Sequence, residues 1–327
     1  MIERAPLLWL PKIKELVVPA RFRGVGIAGF YKMEARKPDG RIRPLTGWFP
    51  NLITNGGLDQ YAGSSWNSTC VVGTGNTAPA FTDTQLVSQV GSTTSTNFIN
   101  TGAQSSPPYY GWTQTQFNFP IGTATGNLSE VGVGTSATTL FSRALILDGG
   151  GSPTTITILS NEALYVTYQV NHYVPTTDYT NSFTLNGTTY NFTLRAATAT
   201  SSSAWGYRPN DPGYLFGDGG PGGGNFSSLN VSNGSIGAIT GDISGTGSGA
   251  GSASHSAYTN GTYSWAVTAT WGLTNGNVSG GVSAGDLLFG VNNASRGRYQ
   301  WGVTPTIPKD SSHVLTLNFT NQWVRGP

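Results

Sequence analysis

Charge is scarce in this chain. Lys, Arg, Asp and Glu make up 10% of its 327 residues, against about 25% in an ordinary soluble domain. The 17 basic and 15 acidic side chains leave a formal net charge of +2. Intrinsic disorder needs high net charge and low hydrophobicity, and an aromatic content of 11% also opposes it. Cysteine is nearly missing: Cys70 has no second thiol, which excludes an internal disulfide framework. The three histidines, at 172, 255 and 313, share no zinc-ligand spacing with it. Long apolar runs are missing too. In Ala5-Pro6-Leu7-Leu8-Trp9-Leu10-Pro11 only four apolar residues stand between prolines, too few for a signal-peptide core or a membrane span. Synthesis in a cytoplasm and no membrane insertion are the expectations. What fills the space is glycine, 46 residues, or roughly one in seven against a usual ~7%. No Gly-X-Y period runs through them, so collagen is excluded. Gly, Thr, Ser and Asn are poor helix formers. An all-β chain, long enough for two domains, is expected.

The charge that exists is unevenly spread. Residues 1–43 hold ten Lys/Arg and four acids, a net +6, and the rest of the chain carries a net −4. No lysine occurs between Lys37 and Lys309. This places a boundary near residue 46, with a basic N-terminal arm and hairpin over 1–46. Tyr31 to Arg36 alternates apolar and charged residues, Pro38-Asp39-Gly40 supplies a turn, and Arg41-Ile42-Arg43 returns. Alternate charges mark a solvated face or an arm docked on a protein partner. Ten basic residues diluted by four acids are a weak signal for nucleic acid, and none is expected as partner. As a docking arm, its candidate residues are Arg21, Arg23, Lys32, Arg36, Lys37, Arg41 and Arg43.

From Asn51 onward short alternating runs are separated by turn residues. Leu164, Val166, Tyr168, Val170 and His172 share one face of a strand. Asn186-Gly187 between two alternating runs is a hairpin with a type I′ turn. Leu315, Leu317 and Phe319 line a further strand. Such strands at short spacing point to two β-sandwich domains, over 47–178 and 179–327. The second holds a glycine-rich insertion over 217–256, with 13 glycines in 40 positions. It is a flexible loop or, because Leu229, Val231, Ile236, Ile239 and Ile243 recur in it, a segment ordered against something. A duplication shows as well. Gly126-Asn127-Leu128-Ser129 recurs as Gly276-Asn277-Val278-Ser279, and Leu164-x-Val166-x-Tyr168 as Leu315-x-Leu317-x-Phe319. An aromatic strand precedes each first copy, at 112–119 and 265–271. Either two related sandwiches or chance matching in a biased composition accounts for this.

Signatures of chemistry are few. Gly222-Gly223-Gly224 is followed by no Lys-Ser/Thr, and no Gly-x-Ser-x-Gly elbow sits on a strand-to-helix turn. His172, on an apolar strand face, is a packed histidine. Glycoside hydrolysis needs two facing carboxylates, and the spacing of Glu130, Asp148 and Glu162 gives no evidence of that. Glu130 is expected to be a buried structural acid. Asp211-Pro212-Gly213 and Asp218-Gly219-Gly220 fall short of a calcium loop. No catalytic residue, cofactor or metal is expected, and the chain is expected not to be an enzyme. Aromatics are plentiful, and core packing, a subunit interface or sugar stacking would use them. Candidate receptor or interface residues are Tyr109, Tyr110 and Trp112, and, just ahead of the glycine-rich run, Trp205, Tyr207, Tyr214 and Phe216.

Several stretches carry a resemblance to a known class. They are Gly47-Trp48-Phe49-Pro50-Asn51-Leu52-Ile53-Thr54-Asn55-Gly56-Gly57-Leu58-Asp59, residues 73–84 from Gly73-Thr74-Gly75-Asn76 to Asp83-Thr84, and Leu128-Ser129-Glu130-Val131-Gly132-Val133-Gly134. Residues 140–146 running on to 164–168, and the closing Pro308-Lys309-Asp310 with Leu315 to Phe319, are similar too. Together they make the chain resemble a virion appendage protein of a tailed bacteriophage, a tail fibre or tail-tip structural component. The resemblance rests on composition and turn chemistry and transfers no site residues. It implies a non-enzymatic structural protein in the virion tail, oligomeric, with a trimer favoured by the fibre analogy. Other tail proteins and a host-surface glycan or protein are its implied partners. The alternatives are a dedicated carbohydrate- or receptor-binding module and a capsid-decoration or head-fibre protein.

Overall fold

Strands with one apolar face must bury that face against another layer. This chain does so almost without helices. A computed structural model describes residues 14–21, 24–62, 66–205, 226–249, 251–291 and 294–327. Within them the chain opens with β1 (Lys14–Arg21), β2 (Val25–Arg36), β3 (Ile42–Pro44), β4 (Phe49–Pro50) and β5 (Leu52–Ile53), then a one-turn helix, α1 (Asn55–Gln60). Next come β6 (Thr69–Gly73), β7 (Gln89–Thr93), β8 (Thr96–Ala103), β9 (Tyr110–Phe119) and β10 (Gly126–Leu128). They are followed by β11 (Glu130–Ser136), β12 (Thr139–Leu145), β13 (Ile156–Ile158) and β14 (Ala163–Tyr173). β15 (Tyr179–Leu185) and β16 (Thr188–Ala196) lead to α2 (Ser202–Trp205). The remainder is β17 (Phe226–Ser232), β18 (Gly247–Ser248), β19 (Ser252–His255), β20 (Ser264–Trp271), β21 (Val282–Val291), β22 (Ala294–Ile307) and β23 (His313–Arg325).

The fold is all-β and built of packed sheets. One long sheet runs β19-β20-β23-β2-β14-β9-β8, with β1 parallel to β23 and β3 and β4 beside β2. Two smaller sheets, β5-β12-β11-β6-β7 and β15-β16-β22-β21-β17-β18, supply the opposing layers. The Tyr31 hydroxyl on β2 meets the Ser142 hydroxyl on β12 at 2.8 Å, and the Trp271 indole on β20 donates to the Leu229 carbonyl on β17 at 3.0 Å. One continuous apolar core fills both interfaces.

The sheet orders repeat. β5–α1–β6–β7–β8–β9–β11–β12–β14 and β16–α2–β17–β18–β19–β20–β21–β22–β23 are the same series. In each, the small sheet has the order first strand, hairpin pair, next strand and edge, and the long sheet receives the remaining three. The duplicated sequence landmarks fall on equivalent places. Phe119 pairs with Leu164 and Trp271 with Leu315, and Gly126 and Gly276 both take positive φ, +118° and +70°. The duplication is therefore a repeat of topology, and chance matching does not explain it.

The basic segment does not stand apart as an arm. Val25, Ile27, Tyr31, Met33 and Ala35 are buried, and β2 is hydrogen bonded to β14 over eleven residue pairs and to β23 over three. Its charges made it look solvated, yet they occupy only the alternate face of a central strand. The described residues of this segment, 14–21 and 24–46, thus share a sheet with strands from both later segments. The turn signals hold: Gly40 has φ +84°, and Asn186 and Gly187 have +48° and +80°. The glycine-rich stretch is no single loop either. Residues 206–225 lie outside the described residues, but from Phe226 the chain forms β17 to β19, with Leu229 and Val231 buried. Its glycines permit close crossing of backbones; a Cβ on Gly234 would fall 2.1 Å from the Ser244 carbonyl oxygen.

The repeats are locked at their junction. Trp323 of β23 donates its indole N–H to the Leu58 carbonyl of α1 at 2.7 Å and stacks on Tyr258 at 5.6 Å. The Tyr258 hydroxyl and the Gly261 amide both donate to Asp59 Oδ1, at 2.5 and 2.6 Å. Arg325 donates to the Ile53 carbonyl and to Asn55 Oδ1. Among the described residues no helix is long and apolar enough to cross a membrane.

Candidate functional site

In a strand, successive side chains point to opposite faces. The inward face of β2, β14 and β9 is occupied by the core, so the chemistry left for contact is on the outward face. Register aligns it in rows. Glu34, Tyr165 and Asn118 form one row, Lys32, Thr167, Gln116 and Asn97 the next, and Phe30, Gln169, Gln114 and Asn100 a third. Ala28, Asn171, Trp112 and Gly102 follow, and Tyr173 beside Tyr110 closes the face. Asn171 and Thr167 are buried among their neighbours, and the other β9 and β14 residues in these rows are half-buried.

These side chains are ordered by one another. Gln114 Nε2 donates to Gln169 Oε1 at 2.7 Å, Gln169 Nε2 to Asn171 Oδ1 at 2.8 Å, and Asn171 Nδ2 to the Tyr173 hydroxyl at 3.4 Å. The Tyr110 and Tyr173 rings stand 5.1 Å apart. The Trp112 ring lies over Gly102, where a Cβ would come within 2.5 Å of it. The result is a broad face of amides with aromatic rings toward its ends and Phe30 on its β2 side.

Of the expected aromatic contacts, Tyr110 and Trp112 thus come together here. Tyr109 is half-buried and packs against the core, and its carbonyl accepts the Val174 amide at 2.9 Å. Trp205 is not a contact residue. It is 0% exposed, bonded to the Ala197 carbonyl and packed at 5.4 Å on Tyr299; it ends α2, where Ala204 is buried beside it. Tyr207, Tyr214 and Phe216 lie outside the described residues.

The basic candidates gather at the other end of the face. β2 and β3 bring Arg36, Lys37, Arg41 and Arg43 around one hairpin. Arg41 pairs with Asp39 at 2.6 Å, Arg43 pairs with Glu162, and Arg36 lies 5.0 Å over the Tyr165 ring. The Arg43 guanidinium holds the Glu162 carboxyl below its usual range. Exposed Ile42 and Leu159 lie at the same end. Lys32 belongs to the amide face instead. Arg21 ends β1, opposite Thr320, and Arg23 lies outside the described residues.

Two buried acids are held in ion-paired sets. Glu130 is fully buried. Its carboxylate accepts the amides of Gly75, Val87 and Ser88 and pairs with Arg143 at 2.8 Å, while Arg143 also reaches Asp83 at 2.6 Å. The second repeat has the counterpart: Asp286 pairs with Arg298 at 2.8 Å, and Arg298 pairs with Asp242. Each set pins the loop that crosses the small sheet. Sequence reasoning missed this pair of triads; what the repeats share is register, each Arg standing opposite the residue two after its acid, Gly132 with Arg143 and Leu288 with Arg298. His172 is buried, 5.8 Å from the Tyr61 ring. Burial pushes the Cys70 thiol up, away from the reactive thiolate. Among the described residues no group of three His, Cys, Asp or Glu side chains is placed to hold a metal. No family model, curated protein or solved structure matches this chain.

Proposed function

We propose that the protein is a non-enzymatic structural component of a phage tail, a tail fibre or tail-tip part, that acts by contact. The observation that carries the contact role is the outward face of β2, β14, β9 and β8, with its hydrogen-bonded amides and flanking rings. A rigid, nearly uncharged platform of this kind suits recognition of a surface. The basic hairpin end, with Ile42 exposed among Arg36, Lys37 and Arg41, is the attachment side for other tail proteins. The resemblance in composition and turn chemistry supports the placement in a tail, and the uncharged Thr, Asn and Gly surfaces suit a part that persists outside a cell.

Purified particles test the placement. Gold-labelled antibody against the chain is expected to decorate the tail, and the chain is expected among the particle proteins by mass spectrometry. Its absence from washed particles overturns the reading. Light scattering on the purified protein is expected to give three times the 34.3 kDa of one chain; a monomer removes the fibre-like trimer.

A further inference from the structure

The duplication supplies a comparison inside one molecule. Pairing Phe119 with Leu164 and Trp271 with Leu315 sets each position of the first repeat beside its counterpart in the second. Core positions keep their character: Leu164, Val166 and Tyr168 correspond to Leu315, Leu317 and Phe319, all buried. Outward positions do not. Trp112, Gln114, Gln116 and Asn118 on β9 correspond to Ser264, Ala266, Thr268 and Thr270 on β20. Tyr165, Thr167, Gln169 and Asn171 on β14 correspond to Thr316, Asn318, Thr320 and Gln322 on β23, so of these four pairs only Asn171 and Gln322 are both amides. The second repeat keeps its face with two amides, Asn318 and Gln322, among threonines, Ser264 and Ala266. On the same scaffold the first repeat carries large amides and rings in a fixed array.

We infer that this face of the first repeat binds a neutral glycan. An amide offers a donor and an acceptor in one plane, the pattern that adjacent hydroxyls of a sugar require. Rings at the ends offer apolar faces for the C–H surfaces of pyranoses. Lys32 and Glu34, on neighbouring rows, carry opposite charges and the rows of Gln169 and Asn171 carry none, so the middle of the face holds no net charge to draw an anionic ligand; Arg36 stands at the hairpin end. Asn100, Gln114 and Gln169 stand in one row across three strands, spaced about 4.8 Å apart, so a saccharide lying across the strands meets an amide at each step. The bonds among Gln114, Gln169 and Asn171 fix their orientations before binding, which lowers the ordering cost. A protein interface has an apolar centre and a polar rim; here Gln114, Gln169 and Asn171 hold the centre, with Phe30 at their β2 side and further rings toward the ends.

The inference rests on the contact role proposed above and not on the place in a particle. Full-length protein on an array of neutral and anionic glycans is expected to select neutral ones, with binding unchanged by added salt. Calorimetry with the best neutral oligosaccharide is expected to show about a tenfold or greater loss for Trp112→Ala and for Gln169→Leu, each a loss of about 1.4 kcal/mol or more. Thr268→Ala and Thr320→Ala, on the second repeat, are expected to bind as the parent does. Circular dichroism of each variant establishes that it folds. Failure to bind any neutral glycan, binding that survives both first-repeat variants, or salt-sensitive selection of anionic glycans overturns the inference. So does a change of oligomeric mass in Trp112→Ala without glycan, which makes the face a self-contact. A chain that binds glycan but is absent from particles leaves the inference standing and removes the tail placement alone.

Discussion

Arg143 and Arg298 occupy equivalent places in the two repeats, and each carries a loop aspartate onto a buried acid. Losing one partner of such a buried pair leaves an uncompensated charge, at a cost of about 3–5 kcal/mol. Arg143→Met is therefore expected to lower stability by that order in urea unfolding. Lys309 follows the same logic at lower stakes. The residue is 3% exposed, and its ammonium donates to the Gly272 carbonyl, Asn277 Oδ1 and the Asp310 carbonyl. Lys309→Met strands those oxygens and is expected to cost about 1–3 kcal/mol. The Arg43–Glu162 pair sets a pH dependence. Because Arg43 depresses the Glu162 pKa, the pair stabilises the fold above the ordinary Glu value of about 4.3. That stability disappears as pH falls through the lower, folded value. The gap in melting temperature between the parent and Arg43→Gln is expected to close in that acid range; a gap constant from neutral pH down to acid unfolding refutes it.

At the scale of elements, β2 shows why charge is a poor guide to domain limits. Ten basic residues before position 44 describe an attachment arm, but alternation gives β2 a buried face of Tyr31, Met33 and Ala35. Hydrogen-bond geometry then seats it between β14 and β23. Deleting residues 1–45 is expected to yield insoluble or unfolded chain, and a soluble body with native circular dichroism contradicts that. Point changes sharpen the test: Met33→Asp is expected to unfold the protein and Lys32→Asp to leave it folded, although the two positions adjoin. The strand faces of β14 and β23 and the Asn186-Gly187 turn were legible because local sequence alone sets them. Trp205 was not, since nothing local separates a buried indole from an exposed one.

For the whole molecule, the question is whether two repeats make two domains. Trp323, Tyr258 and Arg325 of the second series all bond or stack on the α1 region of the first, and one core runs through both. Calorimetry is expected to show a single unfolding transition with equal calorimetric and van't Hoff enthalpies. Two separated transitions refute the shared core. Trp323→Ala, which removes a fully buried indole at the junction, is expected to cost about 3–5 kcal/mol and to separate the transitions.

Local order along the chain already determined an all-β protein of alternating strands, turned at Gly40 and Asn186-Gly187, and hinted at its duplication. It also pointed to His172 as a packed group, because Leu164, Val166, Tyr168 and Val170 share its face at period two, whereas the partners that let Glu130 be buried came only from the tertiary structure. Only the tertiary structure decided which strands share a sheet, that β2 of the basic segment is a central strand, and that Gln114, Gln169 and Asn171 stand together. Strands 50 or more residues apart meet through backbone hydrogen bonds, which any sequence can form. Register between distant strands is therefore chosen by the packing of the whole core, and it is register that sets the amides of β9 and β14 side by side.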